Sequence, residues 1–358
     1  MSASRAVDEP AGDDVRRLPD LAARPLGGSV VHADDESFAE RHHLIRPEPP
    51  VFDPGLYGAR GKVYDGWETR RRREPGHDSA VVRLGAPGVI RGVVVDTAWF
   101  TGNYPPEVSV EAACLAGYPA VDEVLAADWT ELVPRGPLSG NSAHEFPVRS
   151  ARRWTHVRLS IYPDGGVARL RVHGEVVPDP DLLDALGTVD LAALEHGGAV
   201  VGCSNWFYSR PDNLISPGTT RNTGEGWETA RRRDGGDDWV VLRLATPGHV
   251  RVAEVDTTGF LGNAPGAVTL LGADLPGRAE PGEGGSWEDG SWTVLMSRTR
   301  VQPDTRHRFL LGTTPRTTHV RMVIHPDGGM SRLRLWGRPD RAGLDDARRR
   351  WHDTGPVT

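Results

Sequence analysis

The segment Trp67-Glu68-Thr69-Arg70-Arg71-Arg72-Arg73 sets one carboxylate among a run of guanidinium groups. Those side chains could grip a small anion and move a proton beside it, because an arginine fork matches a carboxylate in two-point geometry. Fully extended, the segment places Glu68, Arg70 and Arg72 on one face and Trp67, Thr69 and Arg71 on the other. On the functional reading, the first face holds an anionic ligand and Glu68 orients it or serves as its acid–base group. On the plainer reading, Trp67 is core, Glu68 pairs with an arginine, and the run is a solvated edge that discourages sheet association. Residue types alone favour the plainer reading, because arginine is abundant throughout and Lys62 is the only lysine.

The segment returns. Gly66-Trp67-Glu68-Thr69 recurs as Gly226-Trp227-Glu228-Thr229, an offset of 226 − 66 = 160. Val95-Asp96-Thr97, Phe100 and Gly102-Asn103 recur at the same offset as Val255-Asp256-Thr257, Phe260 and Gly262-Asn263. Thr155-His156-Val157-Arg158, Pro163-Asp-Gly-Gly166 and Arg169-Leu-Arg171 recur 163 residues later, from Thr318-His319 to Arg332-Leu-Arg334. A period this long is a duplicated domain, not a solenoid of short units. The copies also differ: Arg70 becomes Ala230, and Asp65 becomes Glu225, which an asymmetric site and neutral drift would each produce.

Other residues carry weaker signals. His156 and His319 occupy matched positions beside threonine, where a lone histidine is usually structural. His325 stands where the first copy has Tyr162, which makes it a better functional candidate. Asp96 and Asp256 each end an apolar run and suit turn N–H groups, and Asn103 and Asn263 suit turns with positive φ. His32, Asp34 and Asp35 with His42-His43 offer metal-ligating types, yet without the spacing of a regular metal motif. The sequence demands no cofactor, and a divalent metal is left open. There is no phosphate-binding glycine loop, no dinucleotide fingerprint and no nucleophile elbow.

The elements that must position these residues are short and β-rich. Runs at Ala80–Leu84, Val89–Val95, Val108–Ala113, His156–Ile161 and Arg169–Val172 are punctuated by Gly, Pro and Asp. In the fourth, Val157, Leu159 and Ile161 alternate with His156, Arg158 and Ser160, as in a strand with one buried face. The second copy repeats the pattern. Short helices are expected over residues 121–127, 181–196 and 344–351. The chain divides into a tail (1–26), repeat one (27–177), a linker (178–196), repeat two (197–338) and a C-terminal tail (339–358). Gly282–Ser286 reads as a flexible insertion. Many short strands in copies of about 150 residues predict an all-β protein of two tandem sandwiches.

Composition narrows the function. With 25% charged and 38% hydrophobic residues, the chain is an ordinary globular protein, and a net charge of −7 gives no basic field for nucleic acid. No stretch reaches membrane-span length. Two cysteines at non-equivalent positions, Cys114 and Cys203, make no disulfide framework. A cytoplasmic protein is expected, with no nucleic-acid or membrane partner and homo-oligomerisation open.

The pattern Asp65-Gly-Trp-Glu-Thr-Arg-Arg-Arg-Arg73, His77-Asp78, Val95-Asp-Thr-Ala98 and Phe100-Thr-Gly-Asn103, preceded by Asp35-Glu-Ser-Phe-Ala39 and Gly61-Lys62, resembles the allantoicase (allantoate amidinohydrolase) family. The second copy adds Asn213-Leu-Ile-Ser-Pro-Gly218, Gly224-Glu-Gly-Trp-Glu-Thr229, Asp238-Trp239 and Asp256-Thr257. The chain departs from the family at His43 (usually an Asn before the leucine), at Ser37 (usually aromatic) and at Ala230, which interrupts the second arginine run. The resemblance covers both copies. It implies two jelly-roll, galactose-binding-like domains and a hydrolase that converts allantoate to ureidoglycolate and urea in purine (allantoin) degradation. It further implies Arg70 and Arg72 for the substrate carboxylate and Glu68 or Glu228 for acid–base work, with His325 or His156 as alternates. Asn103 and Asn263 would bond the ureido groups. The rival on the same architecture is a non-catalytic carbohydrate- or small-ligand-binding protein, and a third reading is an inactive homologue that binds a partner.

Overall fold

The computed structural model describes residues 15–275 and 292–356, so the Gly282–Ser286 insertion expected from sequence lies outside the described residues. The chain divides into two compact units. Among the described residues, one holds 15–177 with 351–356, and the other holds 178–275 with 292–350. Each unit is a mostly β, sandwich-like repeat.

In the first repeat one strand, Asp78–Asp96, runs 19 residues and joins the two runs Ala80–Leu84 and Val89–Val95. Its first half pairs with Ser29–Ala33 and Arg153–Tyr162. Its second half pairs with Arg169–Val176 and Ala143–Pro147. The change of partner falls at Gly85-Ala86-Pro87-Gly88, where the register against Arg153–Tyr162 jumps from Arg83 to Gly88. Pro87 has no N–H to give a ladder, so a central strand tolerates it only at such an irregularity. Gly88 allows the close approach: a Cβ there would lie 2.6 Å from the Glu175 carbonyl oxygen. Glu107–Ala113 and Thr130–Pro137 extend the first half's sheet. The second repeat copies this plan around Asp238–Asp256. That strand pairs first with Ala199–Cys203 and Thr317–His325, then with Arg332–Pro339 and Arg306–Leu310.

The valine-rich centre of each repeat is fully buried, including Val81, Val82, Val93 and Val95. The strand Arg153–Tyr162 corrects one expectation. Val157, Leu159 and Ile161 are buried as expected, but His156 and Ser160 on the opposite face are each only 1% exposed. An internal strand covered on both faces loses the simple alternation that marks a half-exposed one.

Helices are few. Val121–Leu125 is a short α-helix, and Arg341–Asp353 covers the expected C-terminal helix. The helix expected over 181–196 is shorter, Pro180–Leu186. Asp179 caps it by accepting from Asp181 N and Leu182 N, Pro180 starts it, and Gly187 at φ 67° stops it. A two-residue strand, Val189–Asp190, and a 3-10 turn, Leu194–His196, follow. Upstream of repeat one, Leu21 and Ala22 are fully buried, and Leu21 N donates to Val172 O at 2.7 Å. No described helix is long and apolar enough to cross a membrane. The chain end belongs with the first repeat. Arg153 Nη1 donates to Trp351 O at 2.7 Å, and its guanidinium lies 3.2 Å from the Trp351 ring centroid.

The burial of His156 has a measurable consequence. Desolvation, helped by the Arg83 charge, pushes its imidazole down to about 4 from an ordinary 6.5. The unfolded chain therefore takes up a proton below 6.5 that the folded chain refuses until about 4. Stability from this group is fully present above the unfolded value and is lost as pH falls through that window, to a total of roughly 3 kcal/mol. Melting of wild type and His156→Gln between pH 8 and 4 should show a smaller acid-side fall in the variant. Parallel curves would mean that His156 does not carry this dependence.

Candidate active site

Three repeated motifs that lie far apart in sequence meet in each repeat. In the first, Trp67–Glu68 forms a two-residue ladder with Gly166–Val167, and Glu68 makes a bridge to Ala39. Trp67 is fully buried, and its Nε1 donates to Asp35 O at 2.7 Å. Thr69 Oγ1 accepts from Gly165 N at 3.2 Å, with Gly165 in the left-handed region at φ 142°. Gly166 N donates to Asn103 O at 2.7 Å. The Phe100 ring occupies the space beside Gly166, where an added Cβ would lie 2.0 Å from ring carbon Cε1. The second repeat reproduces every contact. Trp227–Glu228 pairs with Gly329–Met330, Thr229 Oγ1 accepts from Gly328 N at 3.1 Å, and Gly329 N donates to Asn263 O at 2.8 Å.

This scaffold brings a carboxylate and an amide together twice. Asn103 Nδ2 donates to Glu68 Oε1 at 2.6 Å, and Asn263 Nδ2 donates to Glu228 Oε1 at 2.5 Å. The asparagines therefore do not occupy the positive-φ positions expected of them. The left-handed residues of that turn are Trp99 at φ 69° and Gly259 at φ 84°. Asp96 and Asp256 do cap the turn, accepting from Ala98 N and Thr258 N. The two glutamates differ in setting. Glu68 is 8% exposed, and its Oε2 is buried without a hydrogen-bond partner. Desolvation pushes its carboxyl above the ordinary carboxylate range, with the Asn103 bond opposing in part. Glu228 is half-buried.

The flanking arginines separate into two kinds. Arg70 N donates to Asp35 Oδ1 at 2.8 Å, and Ala230 N donates to Asn205 Oδ1 at the same distance, so the backbone is held alike in both repeats. The Arg70 side chain is 74% exposed, with Nε 3.4 Å from Asp35 Oδ2. Arg72 is committed elsewhere: its Nη1 donates to the buried Asp78 at 2.5 Å, as Arg232 does to Asp238 at 2.7 Å. A pair kept in both repeats serves the shared fold. His156 lies inside the sheet, away from this cluster. His325 sits in repeat two, with Nδ1 2.8 Å from Asp237 Oδ2 and Nε2 2.9 Å from Thr269 Oγ1. The metal-ligating types also separate: His32 pairs with Asp34 and His43 with Asp65, each at 3.1 Å. Among the described residues no group of three or more His, Cys, Asp or Glu side chains is placed to share an ion.

Sequence reasoning missed one feature of the site. Leu44-Ile45 recurs as Leu214-Ile215, an offset of 214 − 44 = 170, ten more than the 160 of the Trp-Glu motif. Repeat one therefore carries ten extra residues between Ile45 and Asp65, and the change of offset was the available signal. The insertion holds the hairpin Tyr57–Gly58 with Gly61–Lys62. A cavity of about 500 Å³ lies beneath it, walled by Asp34, Asp35, Glu36 and Phe38 on one side and by Arg60 and Val63 on the other. Phe38 N donates to Glu68 O at 3.2 Å, which joins the cavity wall to the Glu68 strand. Phe52 stacks on Trp99 at 5.5 Å between centroids, and Lys62 Nζ lies 4.9 Å from the Phe52 ring centre. Arg169, only 1% exposed, fastens both ends of the insertion through Glu48 O at 3.0 Å and Asp65 Oδ2 at 2.7 Å. Arg332 holds the shorter loop of repeat two in the same way, through Gly218 O and Glu225 O.

A family model described as the allantoicase repeat matches the chain twice, over residues 19–177 and 189–340. A protein of Nocardia farcinica named "Probable allantoicase" is 55% identical over 335 residues, which cover 93% of this chain and 98% of that protein. One of the same name from Streptomyces coelicolor is 52% identical, covering 88% of this chain and 84% of its own. Among solved structures, the allantoicase of Saccharomyces cerevisiae superposes with a TM-score of 0.74 at 33% identity, over 89% of this chain and 93% of that one.

The contact between Phe100 and Gly166 is testable without any assay of activity. Gly166→Ala should destabilise the chain by about 1–3 kcal/mol, as overpacking does. Gly102→Ala, in the same turn with open space around it, should stay within about 0.5 kcal/mol of wild type. Equal chemical-denaturation midpoints for the two variants would show that the ring and the glycine are not in tight contact.

Proposed function

Because the chain belongs to the allantoicase family, we propose that its hydrolysis of allantoate to ureidoglycolate and urea takes place at the Glu68–Asn103 cluster of repeat one. The observation that carries this reading is the setting of Glu68: buried, raised in pKa, and held through one oxygen by Asn103. A buried carboxyl oxygen without a partner is costly as a charge and far less so when protonated. Glu68 is thus suited to keep a proton that an exposed carboxylate would release.

The substrate's central carbon bears one carboxylate and two ureido groups. Arg70, extended into solvent at the edge of the cluster, takes the carboxylate. The Glu68 carboxyl gives its proton to the nitrogen of the leaving ureido group, and the C–N bond breaks to release neutral urea. The lone pair of the remaining ureido nitrogen pushes in as that bond breaks and leaves an N-acyliminium ion, the nitrogen keeping its own hydrogen. Water adds to its carbon and returns a proton to the Glu68 carboxylate, which restores the starting state. Asn103 fixes the carboxyl through Oε1 and leaves Oε2 to carry the proton. Arg72 acts through Asp78 to hold the strand start, and His325 and His156 take no part in these steps.

Two measurements bear on this reading. Glu68→Gln keeps the bond to Asn103 but cannot donate a proton, so urea release should fall by about 10²–10⁴-fold in kcat. Loss of turnover in Glu228→Gln with activity kept in Glu68→Gln would move the acid to repeat two. Arg70→Ala should raise KM by roughly 10–100-fold, the worth of hydrogen bonds to a charged group. Arg231→Ala, an exposed arginine with a counterpart in repeat one, should change KM by less than about threefold. Equal kinetics in these two arginine variants would remove Arg70 from carboxylate binding.

A further inference from the structure

The second repeat keeps the Glu–Asn pair but lacks the exposed arginine and the inserted hairpin of the first, and its cation beside Trp206, Arg210 at 5.9 Å from the ring, is paired with Asp212. We propose that the Glu228–Asn263 site binds, without hydrolysing it, the neutral ring-closed form of the same skeleton, a 5-ureidohydantoin. The inference rests on reading the first repeat's Glu–Asn pair as a ureido-recognising unit.

The cation of Arg70 is gone. Ala230 stands at the Arg70 position on a backbone held by the same hydrogen bond, so the loss concerns the side chain alone. Closing a ureido N–H onto the substrate carboxylate expels water and removes the negative charge. A ligand so changed no longer needs a guanidinium, but it keeps a ureido arm for a carboxylate and an amide to bond. Glu228 Oε1 and Asn263 Nδ2 remain in contact at 2.5 Å. A further polar group is added beside them. Ser209 replaces Ala39 in the bridge to the glutamate strand, and bridged residues share one side of the pair. Its hydroxyl is buried, at 6% exposure, and has no hydrogen-bond partner.

The walls change in the same sense. The ten-residue insertion that carries the hairpin in repeat one is absent, and among the described residues the segment between Ile215 and Trp227 holds only a 3-10 turn, Thr223–Glu225. The segment that lines the acidic cavity in repeat one, Glu36-Ser37-Phe38, is Trp206-Phe207-Tyr208 here, exposed by 47%, 57% and 70%. Phe207 N donates to Glu228 O at 3.0 Å, which fixes this aromatic run against the glutamate strand. Gly259 replaces Trp99, and a Cβ there would meet only Thr223 at 3.8 Å, so this position presents no ring where repeat one presents an indole. A flat, uncharged ring with a polar arm fits aromatic faces beside a few placed polar groups.

The test is isothermal titration of the full-length protein with 5-ureidohydantoin, followed by chemical analysis of the recovered ligand. Saturable binding at one site per chain is expected, with the ring recovered intact. Trp206→Ala and the isosteric Glu228→Gln, each checked for wild-type melting, should weaken it by at least about tenfold, or 1.4 kcal/mol. Glu68→Gln should leave it unchanged. Absence of binding at about 20 mM, a free energy too small to mark a site, would overturn the proposal. So would recovery of opened ring, or binding lost in Glu68→Gln and kept in Glu228→Gln. The urea-release assay of Glu68→Gln is independent: an active variant would overturn the acid assigned in repeat one while ring binding that tracks Glu228 still stands.

Discussion

Each repeat depends on an aromatic ring seated against a glycine. Phe100 occupies the volume that a side chain at Gly166 would need, and Phe260 does the same at Gly329. Close packing of this kind tolerates no extra methyl group. It fixes the turn after the long strand against the Pro-Asp-Gly-Gly turn, and Gly166 N then reaches Asn103 O. The same turn supplies the partner for Trp67–Glu68 and the donor for Thr69. The carboxylate and its amide are therefore positioned by backbone geometry, through contacts that involve neither of their own side chains. This explains how the pair survives in both repeats although the surrounding walls differ.

Duplication supplied two such frames, and the differences between them lie outside the frame. The ten-residue insertion, Arg70 against Ala230, Asp35 against Asn205 and Trp99 against Gly259 all alter what surrounds the glutamate, not how it is held. An aspartate and an asparagine accept the same backbone N–H equally well, so the fold is indifferent to that change while the local charge is not. The consequence reaches the glutamates. Glu68 is buried, and desolvation raises its carboxyl above the ordinary range, whereas Glu228 is half-buried.

Much of this was legible in the chain because repetition marks what the fold requires. The strand runs, the turn-capping role of Asp96, the burial of Trp67 and the two-repeat architecture follow from motif, punctuation and period. The edge strands Ser29–Ala33 and Ala143–Pro147 were not evident, since short half-exposed runs carry little periodic signal. His156 and Ser160 misled in the opposite sense, because a strand buried on both faces loses its alternation. At the site, the sequence named Glu68, Arg70, Arg72 and Asn103 but gave no means to separate Arg70 from Arg72. Only the ion pair with Asp78 does that, and it depends on the strand start folding back on the arginine run. The insertion was visible only as a change of offset, which matters once both ends are known to be fixed by Arg169.

The long central strand, with its change of partners, sets an order of events during synthesis. Asp78–Asp96 leaves the ribosome well before its main partners, since Arg153–Tyr162 begins 153 − 78 = 75 residues later and Arg169–Val176 follows that. At about 5–20 residues per second, the gap lasts roughly 4–15 s. For that time a valine-rich strand of 19 residues has lost the shelter of the tunnel but lacks most of its ladder. Asp238–Asp256 meets the same delay before Thr317–His325 appears. Each nascent repeat thus passes through an interval in which an unpaired apolar strand can join another chain, a hazard that the finished fold, with both halves of that strand paired on either side, no longer presents.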